Sequence, residues 1–184
     1  MVIVRAATPG DAGAVAAIYN REVTGSTATF DTELRSVADQ RGLIRRRDAG
    51  RHPFLVAEID GSVVGFGSLS AYKPRAGYRY TVEDSVYVDP GAQGSGVGRA
   101  LLTELVRLAD HAEHHCVLAF IATPNAASER LHELLGFEPV GVQREVGWKH
   151  GRWVDVAVHA RLHRPGLPPV GYQGRGESGG GGGS

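Results

Sequence analysis

The chain has 184 residues, 42% of them hydrophobic, enough to bury one core of ordinary size. Lys and Arg number 20, as do Asp and Glu, so no net field draws the chain onto nucleic acid or an anionic membrane, and a small-molecule partner is expected. No apolar run approaches the ~20 residues of a membrane span, and Arg5 and Pro9 arrive too early for a signal-peptide core, so the expected location is the cytosol.

The elements follow in chain order. Residues 2–6 alternate as a strand. Thr8-Pro9-Gly10-Asp11 then forms a helix start, with Thr at the N-cap, Pro in the first turn and Asp bracing the box, and Val15, Ile18 and Tyr19 form the apolar stripe behind it. A second helix is predicted over 34–47, carrying Arg45, Arg46 and Arg47 on a solvated face, and a strand over 54–59. Asp60-Gly61 between two apolar runs is a hairpin signal that pairs 54–59 with 62–70. Residues 81–88 read as the central strand and 98–115 as a long helix with Leu101, Leu102, Leu105, Val106 and Ala109 inward. Residues 116–122 read as a buried strand, and strand, crossover helix and strand make parallel neighbours. A helix over 126–135 stops at Gly136, and two strands near 138–148 and 153–162 meet at His150-Gly151. The domain spans 1–163. From Arg164 onward Pro and Gly dominate, and residues 164–184 are expected to be a disordered tail.

Several residue types are assigned bland roles. Cys116, the only cysteine, permits no internal disulfide and reads as a core strand residue. His111, His114 and His115 include a helical metal spacing but lack a third ligand, so a solvated helix end is expected and no metal site.

The most informative stretch is Val86-Tyr87-Val88 followed by Gln93-Gly94-Ser95-Gly96-Val97-Gly98-Arg99. A glycine loop before a helix leaves backbone NH groups uncovered at the positive helix end, which suits a phosphate or diphosphate. A nucleoside-triphosphate loop needs Gly-Lys-Ser/Thr, whereas Gly98 is followed by Arg99-Ala100. A dinucleotide fingerprint needs a third glycine where Arg99 stands, and the next strand ends without its ribose-binding acid.

Gln93, Gly96 and Gly98 do match the Gln-x-x-Gly-x-Gly pattern, and the chain resembles the Gcn5-related N-acetyltransferases. Asn125-Ala126-Ala127-Ser128 and Leu131-His132-Glu133-Leu134-Leu135-Gly136-Phe137 resemble that family's second half. Residues 80–88 and 147–156 resemble the phosphinothricin and methionine sulfoximine N-acetyltransferases more narrowly. The resemblance implies an α/β fold, a mixed and mostly antiparallel sheet with helices on both faces and a parallel pair splayed around acetyl-coenzyme A. It implies that residues 86–88 pair with the pantetheine arm, that the backbone near Val88 donates to the thioester oxygen, and that Gln93, Gly94, Ser95, Gly96, Val97, Gly98 and Arg99 hold the diphosphate. Asn125, with Ser128 beside it, either bonds the pantetheine or only caps its helix.

Glu83 matches the subgroup's catalytic glutamate and is expected to be the general base through water, against a strand carboxylate that merely binds the ammonium. Asp84 falls on the opposite strand face and is the weaker candidate. Where the superfamily often has a tyrosine, seven residues after Asn125, this chain has His132, as the subgroup does; it acts as an acid or orients the substrate. For the acceptor, the resemblance implies a pocket of Phe30, Lys73, Arg75, Tyr78 and Tyr80, although Lys73-Pro74-Arg75 also reads as an exposed loop. Trp148 and Lys149 complete that pocket or a homodimer contact. The expected activity is direct acetylation of the amine of a small amino-acid analogue. The alternatives are another small amine, a protein N-terminus, or a noncatalytic acyl-coenzyme A-binding regulatory module.

Overall fold

The computed structural model describes residues 1–47 and 51–163; the expected tail lies outside the described residues. Seven strands form one sheet: β1 (Val2–Ala6), β2 (Phe54–Ile59), β3 (Ser62–Ala71), β4 (Thr81–Val88), β5 (Cys116–Ala122), β6 (Glu138–Lys149) and β7 (Arg152–Leu162). Their spatial order is β1-β2-β3-β4-β5-β7-β6, and the one parallel neighbour pair is β4 with β5. Among the described residues the α-helices are α1 (Ala12–Gly25), α2 (Val37–Arg46), α3 (Val97–His111) and α4 (Ala126–Leu134).

The two faces of the sheet carry different cores. On one, Leu101, Leu102 and Leu105 of α3 are fully buried against Leu69, Val82 and Val117. Gly65 and Gly67 of β3 allow this approach: a Cβ at Gly65 would stand 2.8 Å from Val97, and one at Gly67 3.0 Å from Leu105. On the other face, Val15, Ile18 and Tyr19 of α1 pack with Ile44, Phe54, Val56 and Phe66. The Asp60-Gly61 turn has φ of 50° and 77°, the left-handed pair that a two-residue hairpin requires. The Asp11 carboxylate accepts from Thr8 N and Oγ1 at 2.7 and 2.9 Å, and it also receives both terminal nitrogens of Arg5, tying the start of α1 to β1.

Five sequence expectations are corrected. The second helix begins at Val37 because Ser36 and Asp39 form a capping box, so residues 34–36 lead into it rather than belong to it. The long helix ends at His111, since Glu113 takes a positive φ of 58° and the His114 amide returns to the Ala109 carbonyl. That turn carries His114 into the interior, where Nε2 meets the Arg51 carbonyl at 2.8 Å and burial lowers the imidazole's basicity; His114 is therefore no solvated residue. Arg47 leaves the solvated face expected for its neighbours and donates to the Leu69 carbonyl at 2.7 Å. Cys116 is half-buried, and desolvation raises its thiol pKa.

Candidate active site

The site follows from one interruption of pairing. β4 and β5 pair through Thr81–Cys116, Val82–Val117 and Glu83–Leu118, and there the parallel ladder ends. β5 continues alongside β7 and β4 alongside β3, so the two strands diverge beyond Glu83. Between them opens a cleft lined by Val86, Tyr87, Asn125, Ser128 and His132. It widens to a cavity of ≈ 450 Å³ along Val88, Gln93, Gly94, Gly96, Gly98 and Arg99.

At the wide end the glycine loop has the conformation of an anion cradle. Gly94 and Gly96 have φ of 78° and 87°, and the first helical bond of α3 runs from Ala100 N to Gly96 O at 3.0 Å. By helix geometry the NH groups of Val97, Gly98 and Arg99 therefore have no intrahelical acceptor. A Cβ on Gly96 would meet nothing within 4 Å, so its glycine is demanded by φ. Gly98 is used differently: a Cβ there would stand 3.3 Å from Leu131, so this residue sets the closeness of α3 and α4. Ser95 Oγ donates to the Ala92 carbonyl and is spent on the turn. Asn125 caps α4 by accepting from Ser128 N at 3.1 Å, and it also lines the cleft.

Alternation along β4 sorts the chemistry onto two faces. Val82, Val86 and Val88 pack on the α3 side, and Asp84 shares it; Tyr87 packs with Tyr19 and Phe66 on the α1 side, which Glu83 and Ser85 share. Glu83 and His132 are thus not neighbours: they lie on opposite faces of the point where the strands part. Burial, then the charge of Asp84, raises the pKa of Glu83, with Lys73 acting against both.

His132 is 4% exposed and held at both nitrogens. Nδ1 donates to the Ser128 carbonyl at 2.7 Å, and Nε2 lies 3.0 Å from Asp84 Oδ2. With Nδ1 committed as a donor, a neutral ring would turn a lone pair toward the carboxylate, so the second contact requires a shared proton. Burial alone disfavours the imidazolium, but the hydrogen bond and charge of Asp84 with the Ser128 carbonyl more than offset it, and the pKa of His132 is raised. Asp84 Oδ1 is buried and has no hydrogen-bond partner among the described residues. Strand parity alone demotes Asp84; its partnership with His132 depends on how α4 lies across β4, which local pattern does not encode.

The acceptor candidates fall into two groups. Lys73 Nζ sits 4.6 Å from the ring of Tyr72 and 5.6 Å from that of Tyr78, and Tyr72 stacks on Phe120, a cleft residue. Tyr72 and Phe120 were not anticipated; both follow in retrospect from the parity of β3 and β5. Arg75 is exposed and opens the 3-10 turn before β4, and Tyr80 is half-buried under the Arg79 guanidinium. The second group closes from β6. The Phe30 ring lies against Gly147, where a Cβ would be 2.0 Å from its edge, and Trp148 is 55% exposed. Lys149 is buried, with Nζ donating to the carbonyls of Glu22 and Thr29 at 3.1 and 2.6 Å, so it fastens the loop after α1 to the β6–β7 hairpin. Among the described residues no cluster of His, Cys, Asp or Glu suits a metal ion, and no helix is long and apolar enough to cross a membrane.

Asp84→Asn is expected to lower the pKa of His132. The lost carboxylate takes away the hydrogen bond and charge that raise the imidazole, and it also removes one of the causes that raise Glu83. Because His132 is raised in the folded chain, the pairing stabilises fully below its unfolded pKa of about 6.5 and fades as pH rises through the folded value. The substitution therefore costs most stability, roughly 1–3 kcal/mol, in mildly acidic buffer. NMR titration of His132 and thermal melts at several pH values check both statements, and an unmoved His132 pKa removes Asp84 from the account.

Residues 15–137 match the family model described as the acetyltransferase (GNAT) family. The chain is 39% identical over 165 residues to a phosphinothricin N-acetyltransferase of Alcaligenes faecalis, covering 86% of this chain and 81% of that protein. It is 38% identical over 153 residues to an L-methionine sulfoximine/L-methionine sulfone acetyltransferase of Salmonella typhimurium, covering 83% and 90%. A phosphinothricin acetyltransferase from Sinorhizobium meliloti, crystallised with acetyl-coenzyme A, superposes with a TM-score of 0.87 at 34% identity over 92% of this chain and 94% of that one. With the parted strands, the glycine cradle and these likenesses together, the chain belongs to the GNAT acetyltransferase family and is an N-acetyltransferase.

Proposed function

We propose that the chain is a cytosolic enzyme that acetylates the α-amine of a small amino-acid analogue of the phosphinothricin or methionine sulfoximine type. The observation that carries this is the parting of β4 from β5 at Glu83, with an anion cradle at one end of the opening and a half-buried carboxylate at the other. The cleft fits acetyl-coenzyme A: residues 86–88 offer an unpaired strand edge, the amides of residues 97–99 suit a diphosphate, and Arg99 is an exposed cation beside them. When bound, that cofactor supplies the acetyl group as an activated thioester.

The residues divide the proton work across the sheet. Glu83, on the α1 face, takes the proton of the acceptor ammonium through a water molecule; its raised pKa brings it nearer the operating pH. On the opposite face His132 and Asp84, which both line the cleft, hold a proton between Nε2 and Oδ2. Lys73, Tyr78 and Phe30 bound the acceptor's side chain. A thiol-release assay over a panel of amines tests this reading. Release with α-amino acids of this type supports it, whereas cofactor binding with no release from any amine leaves only a regulatory module.

The enzyme works as a homodimer through the outer edge of β6. Val140, Val142 and Val146 of that strand and the adjacent Trp148 and Trp153 are each more than half exposed, which is costly for a strand with one free edge. Light scattering is expected to give about twice the 19.5 kDa chain mass. Val142→Asp combined with Val146→Asp is expected to return it to the monomer. A wild-type monomer at micromolar concentration contradicts the assembly.

A further inference from the structure

A second cavity, of ≈ 200 Å³, lies on the Glu83 face of the sheet beneath α2, lined among others by Arg35, Gln40, Arg47, Ser68, Ser70 and Ser85. Its position is set by register. Ser70 stands opposite Glu83 and Ser68 opposite Ser85, so the cavity wall starts directly beside the carboxylate cast as the base.

The chemistry of its lining is unbalanced. Arg35 gives both Nε and Nη2 to Asp31 Oδ2 at 3.1 and 2.7 Å and lies over the Tyr19 ring, so its charge is matched. Among the described residues Arg47 has no such match: Nη1 goes to the Leu69 carbonyl, Nε is buried without a partner there, and no carboxylate there bonds it. Burial, then the like charge of Arg35, presses against its protonated form, as expected for a cation awaiting a counter-ion. Gln40, 1% exposed, has a buried Oε1 with no donor among the described residues; turning its amide over presents the NH2 group to the same space. Ser68, Ser70 and Ser85 add hydroxyl donors. Gln40, Ile44 and Arg47 follow one helical stripe, so the helix that buries Ile44 also turns Gln40 and Arg47 inward.

We infer that this cavity is the seat of the acceptor's α-carboxylate, held by Arg47 with Gln40 and the serine hydroxyls, while the exposed cations Lys73 and Arg75 meet the variable anionic side chain. The inference rests on the amino-acid reading above and adds to it a division of labour. The group shared by every α-amino acid is gripped inside the fold, and the group that differs is met at the rim. Two residues along a strand span about 6.6 Å, so a carboxylate near Ser85 leaves the adjoining amine within reach of Glu83 through one water.

The test compares kcat/KM for an α-amino acid acceptor and for the same amine lacking its carboxylate, in the wild type, Arg47→Met and Gln40→Leu. In the wild type the amino acid is strongly preferred; in Arg47→Met the ratio of the two falls by roughly 10- to 100-fold, carried mainly by KM. Arg47→Lys restores part of it. General damage to the fold lowers both substrates together and leaves the ratio in place, which overturns the inference, as does loss of the ratio in Arg75→Met alone. Calorimetric titration with the N-acetylated amino acid gives a reading independent of turnover: weaker binding to Arg47→Met supports the seat and equal binding refutes it. Acetate competing with the acceptor identifies the anion as the acceptor's own; acetate that binds without competing marks a separate anion site and overturns the assignment. If the wild type acetylates no amino acid at all, the functional reading fails, and the titration still decides whether Arg47 holds a carboxylate.

Discussion

Glu83→Gln is expected to lower kcat/KM by about 10²–10⁴ at neutral pH, the range spanned by a positioned general base. The amide keeps the shape of the side chain at the end of the β4–β5 ladder, so folding and acetyl-coenzyme A affinity stay close to wild type. The loss shrinks as pH rises, because an acceptor amine that is already deprotonated needs no base. The acid limb of the wild-type profile, which reports the raised Glu83, disappears in the variant. Initial rates from pH 6 to pH 10 check this, and undiminished turnover at neutral pH removes Glu83 from the role.

Gly96→Val is expected to weaken acetyl-coenzyme A binding by at least about tenfold, a 1.4 kcal/mol change. The cause is conformational. Gly96 sits at φ 87° and ψ 1°, a region that costs an ordinary residue roughly 1–2 kcal/mol and a β-branched one more. Nothing lies within 4 Å of the new Cβ, so the chain has space for the side chain but no relief for the backbone. The loop relaxes out of the conformation that aims its amides, and the cradle is lost with little damage to the core. Gly98→Ala serves as contrast, since its new methyl meets Leu131 and loosens α3 from α4 instead. Isothermal titration separates the two, and unaltered affinity in Gly96→Val refutes the cradle.

The strands, the hairpin turns and the central crossover were legible because each rests on local chemistry: alternation in 81–88, Asp60-Gly61 and His150-Gly151 at left-handed turn positions, and the leucine stripe of α3. The glycine cradle was legible for the same reason. What sequence alone missed depends on distant pieces meeting. Asp84 became a partner of His132 only once α4 was placed on the same face as the even residues of β4. Arg47 read as one of a run of solvated arginines until the Ser36–Asp39 box set the phase of α2 and turned it inward with Gln40. Lys149 was expected to complete the pocket or a dimer contact, and its ammonium is committed to two carbonyls that fix the loop carrying Phe30. The split of Glu83 and His132 across the sheet was implicit in parity, yet it gained meaning only where the β4–β5 ladder stops and opens a passage between the faces.

A crystal structure of the chain with coenzyme A and an α-amino acid tests the central claim most directly. The account predicts the thiol end between residues 84–88 and 119–122, the amine on the α1 face within one water of Glu83, and His132 on the opposite side still paired with Asp84. An amine arriving from the α3 and α4 face, beyond the reach of Glu83, contradicts it.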